Sequence, residues 1–226
     1  QEEVEAFLEA HRFSFATLEV AGHDVGAIEK LTKAAPELQS VAARHIAGNV
    51  LQQVARDADA LSLSDLRAGL EALGPDPVAL AARLNLPVAR ILRRMASVPE
   101  LGAGLLVCDR SGTVIFRKSI DGFVVPRFGA CCPMWPLFSV LGQIGVVARE
   151  RLHQLGRASA EFDCIATCET VGHASYNTPP LVQAVMLILP ARDVSSARQD
   201  VGATCRTCPR DGCAARREPS ILYDGV

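Results

Sequence analysis

The chain has 226 residues, 49% of them hydrophobic and only 5% aromatic, so aliphatic side chains and alanine must fill its core. Its formal net charge is −2, which argues against a chain that by itself coats the phosphate backbone of a nucleic acid. An acidic start and the lack of an apolar run of about 20 residues predict that the chain carries no secretory leader and no membrane span, and that the protein is cytoplasmic.

Residues 1–98 are predicted to form a helical region. Apolar side chains recur at helical spacing over residues 28–46 and 78–95, as expected for helices that bury one face. Pro36 predicts a helix entry, and Ser64-Asp65-Leu66 predicts an N-cap.

Residues 81–87, with the sequence AARLNLP, suggest two helices joined by a short turn. Such a unit can read DNA, but it is also the ordinary connection between neighbouring helices in a bundle. The balanced charge of this region favours the structural interpretation.

From Pro99 onward, the pattern changes to short apolar stretches. Residues 102–107 and 113–116, separated by a polar turn that contains glycine, predict a β-hairpin. Residues 162–170 and 181–189 predict two further strands. The second of these contains a run that is apolar throughout and is therefore expected to be buried on both faces.

Between these strands, residues 123–128 predict an extended segment and residues 135–155 a mostly helical one. The order strand, strand, helix, strand, strand predicts an antiparallel sheet with a helix against it. The predicted fold class is therefore α+β. A helical region, 1–98, precedes a sensor-like domain, 99–226, that ends in a cysteine-rich tail.

The cysteines give the strongest local signal. Cys205, Cys208 and Cys213 fall within nine residues. The C-x2-C spacing lets two sulfurs converge on one inorganic centre, and Gly212 permits the tight turn that brings in the third.

Three thiolates are one short of a closed four-thiolate site. Cys131 and Cys132 are the candidates for the fourth ligand. The remaining cysteines lie in or beside predicted strands and are expected to be small apolar core residues: Cys108, Cys164 and Cys168.

A 4Fe-4S cluster and a zinc ion can use the same four thiolates. A proline follows both Cys132 and Cys208, as in the ligand runs of bacterial ferredoxins, and this favours the cluster. Zinc remains the alternative, and either centre could simply staple the tail. Four nearby arginines could offset the negative charge of such a centre, face an anionic ligand or be solvated: Arg206, Arg210, Arg216 and Arg217.

Sequence motifs of common enzymes are absent. The chain has no HExxH, no phosphate-binding glycine loop and no G-x-S-x-G elbow. No catalytic residue is predicted, and the chain is not expected to be an enzyme.

Two segments carry a family resemblance. Residues 128–138, FGACCPMWPLF, resemble the FG-x-x-CP-x-W segment of the short-chain fatty acyl-CoA regulators. Residues 201–219, VGATCRTCPRDGCAARREP, are similar to that family's closing signature, IG-x-x-CR-x-CPR-x-x-C-x-x-R-x-x-P. Residues 80–95 also resemble the segment that precedes the family's sensor domain. The middle of the chain, residues 143–180, matches less well.

The resemblance implies a transcription regulator of short-chain fatty acid and acyl-CoA metabolism, with an acyl-CoA or CoA as effector. It also implies a homodimer that binds DNA through a helix-turn-helix domain absent from this chain. A chain that begins with Gln fits a piece of a longer protein. The family's cysteine before proline corresponds to Cys132, so the implied ligands are Cys132, Cys205, Cys208 and Cys213.

An acyl-CoA needs cationic partners for its phosphates and an apolar slot for its acyl end. Arg117, Lys118 and Arg127 flank the hairpin and the first cysteine segment and are the predicted phosphate ligands. Phe128 and Trp135 are predicted to stack on adenine or line the acyl pocket, and core packing is the alternative for Trp135. Two alternative functions remain: an iron-sulfur redox sensor without a small-molecule effector, and a zinc-stapled structural domain.

Overall fold

A computed structural model of the chain describes residues 1–21, 24–156, 159–172, 175–191 and 197–222. The chain divides into two units, Gln1–Val98 and Pro99–Val226. Parts of the predicted tail, residues 192–196 and 223–226, lie outside the described residues. The roles predicted for the two regions stay predictions.

The first unit is helical, as predicted. Its helices are α1 (Glu2–Ala10), α2 (Ala16–Ala21), α3 (Val25–Ala34), α4 (Val41–Ala60), α5 (Leu63–Leu73), α6 (Pro77–Leu84) and α7 (Val88–Ala96). Ser40 caps α4 and Ser62 caps α5, each side chain accepting a backbone N–H at the start of its helix. The predicted N-cap at Ser64 was thus two residues late. Pro36 lies in the turn before α4 and does not begin it.

The second unit is built on a six-stranded sheet. Its strands are β1 (Gly104–Asp109), β2 (Val114–Lys118), β3 (Val147–Gln154), β4 (Ala160–Val171), β5 (Leu181–Pro190) and β6 (Arg198–Val201). The strand order is β2-β1-β5-β4-β3-β6. All neighbours are antiparallel except β3 and β6, which are parallel. The α+β fold class is confirmed.

Strand β5 lies in the middle of the sheet and is almost wholly buried from Val182 to Leu189. This agrees with the expectation from its apolar run. One face of the sheet packs on the short helix α8 (Pro136–Ser139) and the residues before it. The predicted core cysteines are buried in this layer: Cys108, Cys164 and Cys168.

The helix predicted over residues 135–155 was mostly wrong. Helix α8 is four residues long, and Val147–Gln154 forms strand β3 instead. The glycines at 142 and 145 have φ of +89° and +81°, a left-handed conformation that ends a helix. Residues 123–128 form no strand, although Phe123 makes an isolated bridge with Ile120.

Strand β6 was not predicted. It has four residues and pairs in parallel with β3, and its position decides where the tail begins. Among the described residues, no helix combines the length and the apolar character that a membrane crossing requires.

Candidate metal centre

The cysteines predicted as ligands line one cavity in the second unit: Cys132, Cys205, Cys208 and Cys213. The cavity contains about 300 Å³ of empty space, part of it open to solvent. Three of these residues are buried, and Cys213 is half-buried. The fold therefore brings together thiols from two segments that are far apart in the sequence.

The tail cysteines lie in a tight loop that follows strand β6. A single 3₁₀ turn, Cys205–Thr207, opens the loop. The side chain of Thr204 accepts a hydrogen bond of 3.3 Å from the Thr207 N–H. Gly212 has φ of +58°, where a residue with a Cβ is strained. This turn returns the third cysteine to the same cavity.

Two long-range hydrogen bonds join the Cys132 segment to the tail. The Cys132 N–H donates to the Ala203 carbonyl at 2.9 Å. The indole N–H of Trp135 donates to the Gly202 carbonyl at 3.0 Å. Because Trp135 is fully buried, its bond holds the start of the tail against the core of the sheet.

Gly202 leaves room for a thiol. A Cβ at this position would lie 2.7 Å from Cys208 Cβ and 2.8 Å from Cys208 Sγ. Both distances are far below van der Waals contact, so a side chain here would displace the thiol. The glycine before the C-x2-C step is thus explained by the close approach of Cys208.

Arginines of the tail border the cavity. Arg210 donates to the Asp200 carbonyl at 2.7 Å, and Arg216 donates to carbonyls within the cysteine loop. The backbone N–H of Arg217 donates to Cys205 Sγ at 3.5 Å. Since the guanidinium groups of Arg210 and Arg216 donate to neutral carbonyl oxygens, their positive charge remains able to offset negative charge on the thiols.

Burial raises the pKa of the Cys132 thiol, and the nearby Cys208 and Cys205 raise it further. Several buried thiolates this close together repel one another. A bound cationic centre would remove that cost, because metal coordination deprotonates a thiol outright. The donor set therefore fits a metal centre chemically.

Cys131 is not among the residues that line the cavity. Burial raises the pKa of its thiol, while Arg117 and Arg217 act in the opposite direction. Its carbonyl accepts a hydrogen bond from the Arg217 side chain. Of the two adjacent cysteines, Cys132 lines the cavity and Cys131 does not.

Across the described ranges, no three or more His, Cys, Asp or Glu side chains are arranged to hold a metal ion. The four cysteines share the cavity, and a zinc ion and a 4Fe-4S cluster both use four thiolates of this kind.

Comparison with known families gives the identity of this unit. The family described as short-chain fatty acyl coenzyme A regulator, C-terminal, matches residues 100–224. The chain belongs to this family. The resemblance inferred from the two cysteine segments is thus confirmed.

The chain has curated relatives in Mycobacterium tuberculosis. The HTH-type transcriptional regulator RamB, in strains CDC 1551 / Oshkosh and ATCC 25618 / H37Rv, is 26% identical over 130 residues. The match covers 50% of this chain and 27% of each relative. The chain therefore spans about a quarter of the length of these regulators.

A solved structure shares the fold. A Mycobacterium tuberculosis transcriptional regulator superposes with a TM-score of 0.70 at 20% sequence identity. The match covers 88% of this chain and 65% of that one. At this identity, the likeness is evidence for the fold alone.

The predicted effector residues lie on the hairpin and the segment after it. Arg117 and Lys118 are half-buried at the end of β2, and Arg127 and Phe128 are exposed. Arg117 donates to the Pro126 carbonyl at 3.1 Å, which ties this segment to the strand. Burial lowers the pKa of Lys118. Effector binding by these side chains stays a prediction.

Trp135, also predicted to contact the effector, is fully buried. Its ring centroid lies 5.0 Å from that of Phe123 and 6.3 Å from that of Phe138. Together with its bond to Gly202, this packing favours the core alternative. Sequence alone does not distinguish a buried tryptophan from a ligand-binding one.

The turn that resembled a DNA-reading unit joins α6 and α7, with Asn85 in the left-handed conformation at its centre. The arginines of α7 pair with acids of their own unit. Arg90 and Arg93 contact Asp57, and Arg94 contacts Glu19. These pairs favour the interpretation of this turn as a bundle connection.

One series of hydrogen-bonded polar side chains in the second unit was not predicted from the sequence. His153 Nδ1 lies 2.7 Å from Asp200 Oδ1, and its Nε2 lies 2.7 Å from Ser159 Oγ. This is the bonding order of a catalytic triad, but Ser159 is exposed at a hairpin turn. We interpret these hydrogen bonds as structural. The bond between His153 and Asp200 joins β3 to β6, the strand after which the tail begins.

Proposed function

We propose that this chain is the effector-sensing part of a transcription regulator of short-chain fatty acyl-CoA metabolism, and that it holds a 4Fe-4S cluster. The observation that carries the cluster proposal is the shared cavity of Cys132, Cys205, Cys208 and Cys213. When bound, the cluster would supply a redox-active and oxygen-sensitive centre that joins the tail to the sheet.

Features of the cavity support an inorganic centre held by thiolates. The Arg217 N–H donates to Cys205 Sγ, and hydrogen bonds to sulfur are among the means by which proteins tune cluster potentials. Arg210 and Arg216 border the cavity and can offset the negative charge of four thiolates. A proline follows both Cys132 and Cys208, as in the ligand runs of bacterial ferredoxins, and this favours the cluster over zinc.

Spectroscopy of anaerobically purified protein tests the cofactor. We expect broad visible absorbance, with about four iron and four sulfide per chain. The variant Cys132→Ser should lose most of the iron, because a ligand is removed. Cys131→Ser is the matched control and should keep it. Colourless wild-type protein that contains one zinc ion per chain would contradict the cluster and support a structural zinc site instead.

The effector proposal rests on the family to which residues 100–224 belong. Arg127 and Phe128 are exposed next to the cysteine segment, where a cation and an aromatic ring can reach a nucleotide or its phosphates. Arg117 and Lys118 lie on the neighbouring strand. We propose that these groups hold the CoA part of an acyl-CoA.

Calorimetric titration with acetyl-CoA and propionyl-CoA tests the effector. Arg127→Gln should weaken binding several-fold if the side chain contacts phosphate. Arg110→Gln removes an exposed arginine from the β1–β2 turn and should leave affinity unchanged. Absence of heat with both ligands in cluster-loaded protein would remove this effector class and favour the redox sensor.

The regulatory step requires the full-length protein, because this chain spans about a quarter of its curated relatives. We propose that DNA binding belongs to a helix-turn-helix domain outside this chain, acting in a homodimer. An effector that switches such a dimer must bind one arrangement better, typically by 5- to 150-fold. Operator binding measured with and without acyl-CoA, and before and after air exposure, separates the effector mechanism from the redox mechanism.

A further inference from the structure

One side chain contacts the backbone of two of the three tail cysteines. Arg216 Nη1 donates to the Cys205 carbonyl at 3.2 Å. Its Nη2 donates to the Cys208 carbonyl at 3.4 Å and also to the Arg210 carbonyl. In addition, the Arg216 backbone N–H donates to the Cys213 carbonyl at 3.1 Å.

These contacts fix the loop at several points at once. Cys205, Cys208 and Cys213 would otherwise sit on a segment with one 3₁₀ turn and no strand. Ordering such a segment costs backbone conformational entropy. Hydrogen bonds from a charged donor are stronger than those between neutral groups, so a guanidinium that bridges several carbonyls can hold the loop.

The contacts need arginine and not merely a positive charge. A guanidinium carries five N–H donors in a rigid plane, so it can reach carbonyls on two sides of a loop. An ammonium is a compact charge with three donors at one point. A lysine at position 216 would keep the charge at the cavity but could not span the same carbonyls.

We infer that Arg216 is a positioning residue, whose side chain holds the cysteine loop ready to bind the cluster. The inference rests on the proposed cluster function and adds the residue that prepares its site. Arg216 lines the cavity without being a ligand. Its side chain acts on the centre through the carbonyls of Cys205, Cys208 and Arg210.

The first test measures retention of the cluster. Iron is followed over time after a chelator is added to Arg216→Gln, Arg216→Lys and the wild type. We expect both variants to lose iron about tenfold faster, as is typical when partners of metal ligands are removed. Arg206→Gln, an exposed arginine in the same loop, is the matched control and should behave as the wild type. If Arg216→Lys retained iron like the wild type, the positive charge of Arg216, and not the positions of its N–H donors, would explain its effect on iron retention.

The second test needs no cluster. Amide hydrogen exchange is measured on the full chain after iron is removed. In Arg216→Gln, peptides covering residues 202–217 should exchange faster than in Arg206→Gln, while β4 and β5 stay protected, which shows that the sheet is folded. Equal exchange in the two variants would overturn the inference. A wild type that never takes up iron would defeat the proposed function instead, and the exchange result would still decide the role of Arg216.

Discussion

The arginines of helix α7 and those of the cysteine loop have different partners. In α7, Arg94 is 2% exposed and donates both Nη groups to Glu19 at 2.7 and 2.8 Å. In the cysteine loop, Arg210 and Arg216 donate to backbone carbonyls. The arginine of α7 is thus neutralised by a carboxylate, whereas the guanidinium groups of the loop are held by neutral oxygens.

This difference has a physical consequence. A buried arginine–carboxylate pair joins two helices but contributes little net charge to its surroundings. A guanidinium held by carbonyls orders a loop and still presents its positive charge to the cavity. The first arrangement serves stability, and the second fits a site that gathers thiolates.

The largest effect that tests this comparison is expected at the Arg94–Glu19 pair. Arg94→Met removes one partner and leaves the carboxylate of Glu19 partly buried, so we expect a loss of about 3–5 kcal/mol in the free energy of unfolding. Urea unfolding followed by helical circular dichroism measures it. Lys33→Ala breaks the exposed pair with Glu29 and should cost about 0.5 kcal/mol. Equal effects of the two substitutions would contradict a structural role for the buried pair.

The next effect concerns Asp57, which is 2% exposed and accepts hydrogen bonds from Gln53, Arg90 and Arg93. Asp57→Asn keeps the shape but removes the charge, and we expect a loss of about 1.5–3 kcal/mol. The same unfolding experiment checks it. Asp59→Asn, on the exposed face of the same helix, is the control and should change stability by less than about 0.5 kcal/mol.

The comparison extends to the thiols, because those in the sheet core lie away from the cavity arginines. Burial raises the pKa of Cys108 from 9.0 to about 12. The folded state therefore keeps this proton while the unfolded state loses it, and stability falls as pH rises from about 9 to 12. The loss is at most about 1.4 kcal/mol per pH unit. Urea unfolding at several alkaline pH values should give a shallower slope for Cys108→Ala, and an unchanged slope would refute this assignment.

The smallest effect is expected at Arg210, whose side chain donates to the Asp200 carbonyl. Arg210→Gln should cost about 1 kcal/mol and speed iron loss less than Arg216→Gln does. Chelator kinetics on the two variants, side by side, measure the difference. Equal rates of iron loss in the two variants would mean that the number of carbonyls bonded by an arginine does not determine how firmly the loop retains iron.

Part of the candidate site was readable from the sequence. The C-x2-C step, the third cysteine and the proline after Cys132 are local features whose spacing limits how the thiols can converge. The family resemblance selected Cys132 over Cys131, and the cavity lining agrees with that choice. The two apolar stretches of the predicted hairpin and the apolar run of β5 also had direct structural counterparts.

Other parts required contacts between distant segments. Residues 147–154 have no strong strand pattern, yet they form β3 because β4 offers an antiparallel partner along their whole length. The four residues of β6 become a strand only beside β3. The sequence predicted that Trp135 contacts the effector. In the structure Trp135 lies in the core, where its indole N–H donates to the Gly202 carbonyl.

The sequence by itself determined the class of fold, the composition of the core and the thiols available to an inorganic centre. These properties depend on residue type and on spacing along the chain, which are local. Only the tertiary structure decided that the two cysteine segments share a cavity and that Arg216 bridges the loop. Those outcomes depend on strand pairing and side-chain packing, which bring together residues that no local pattern connects.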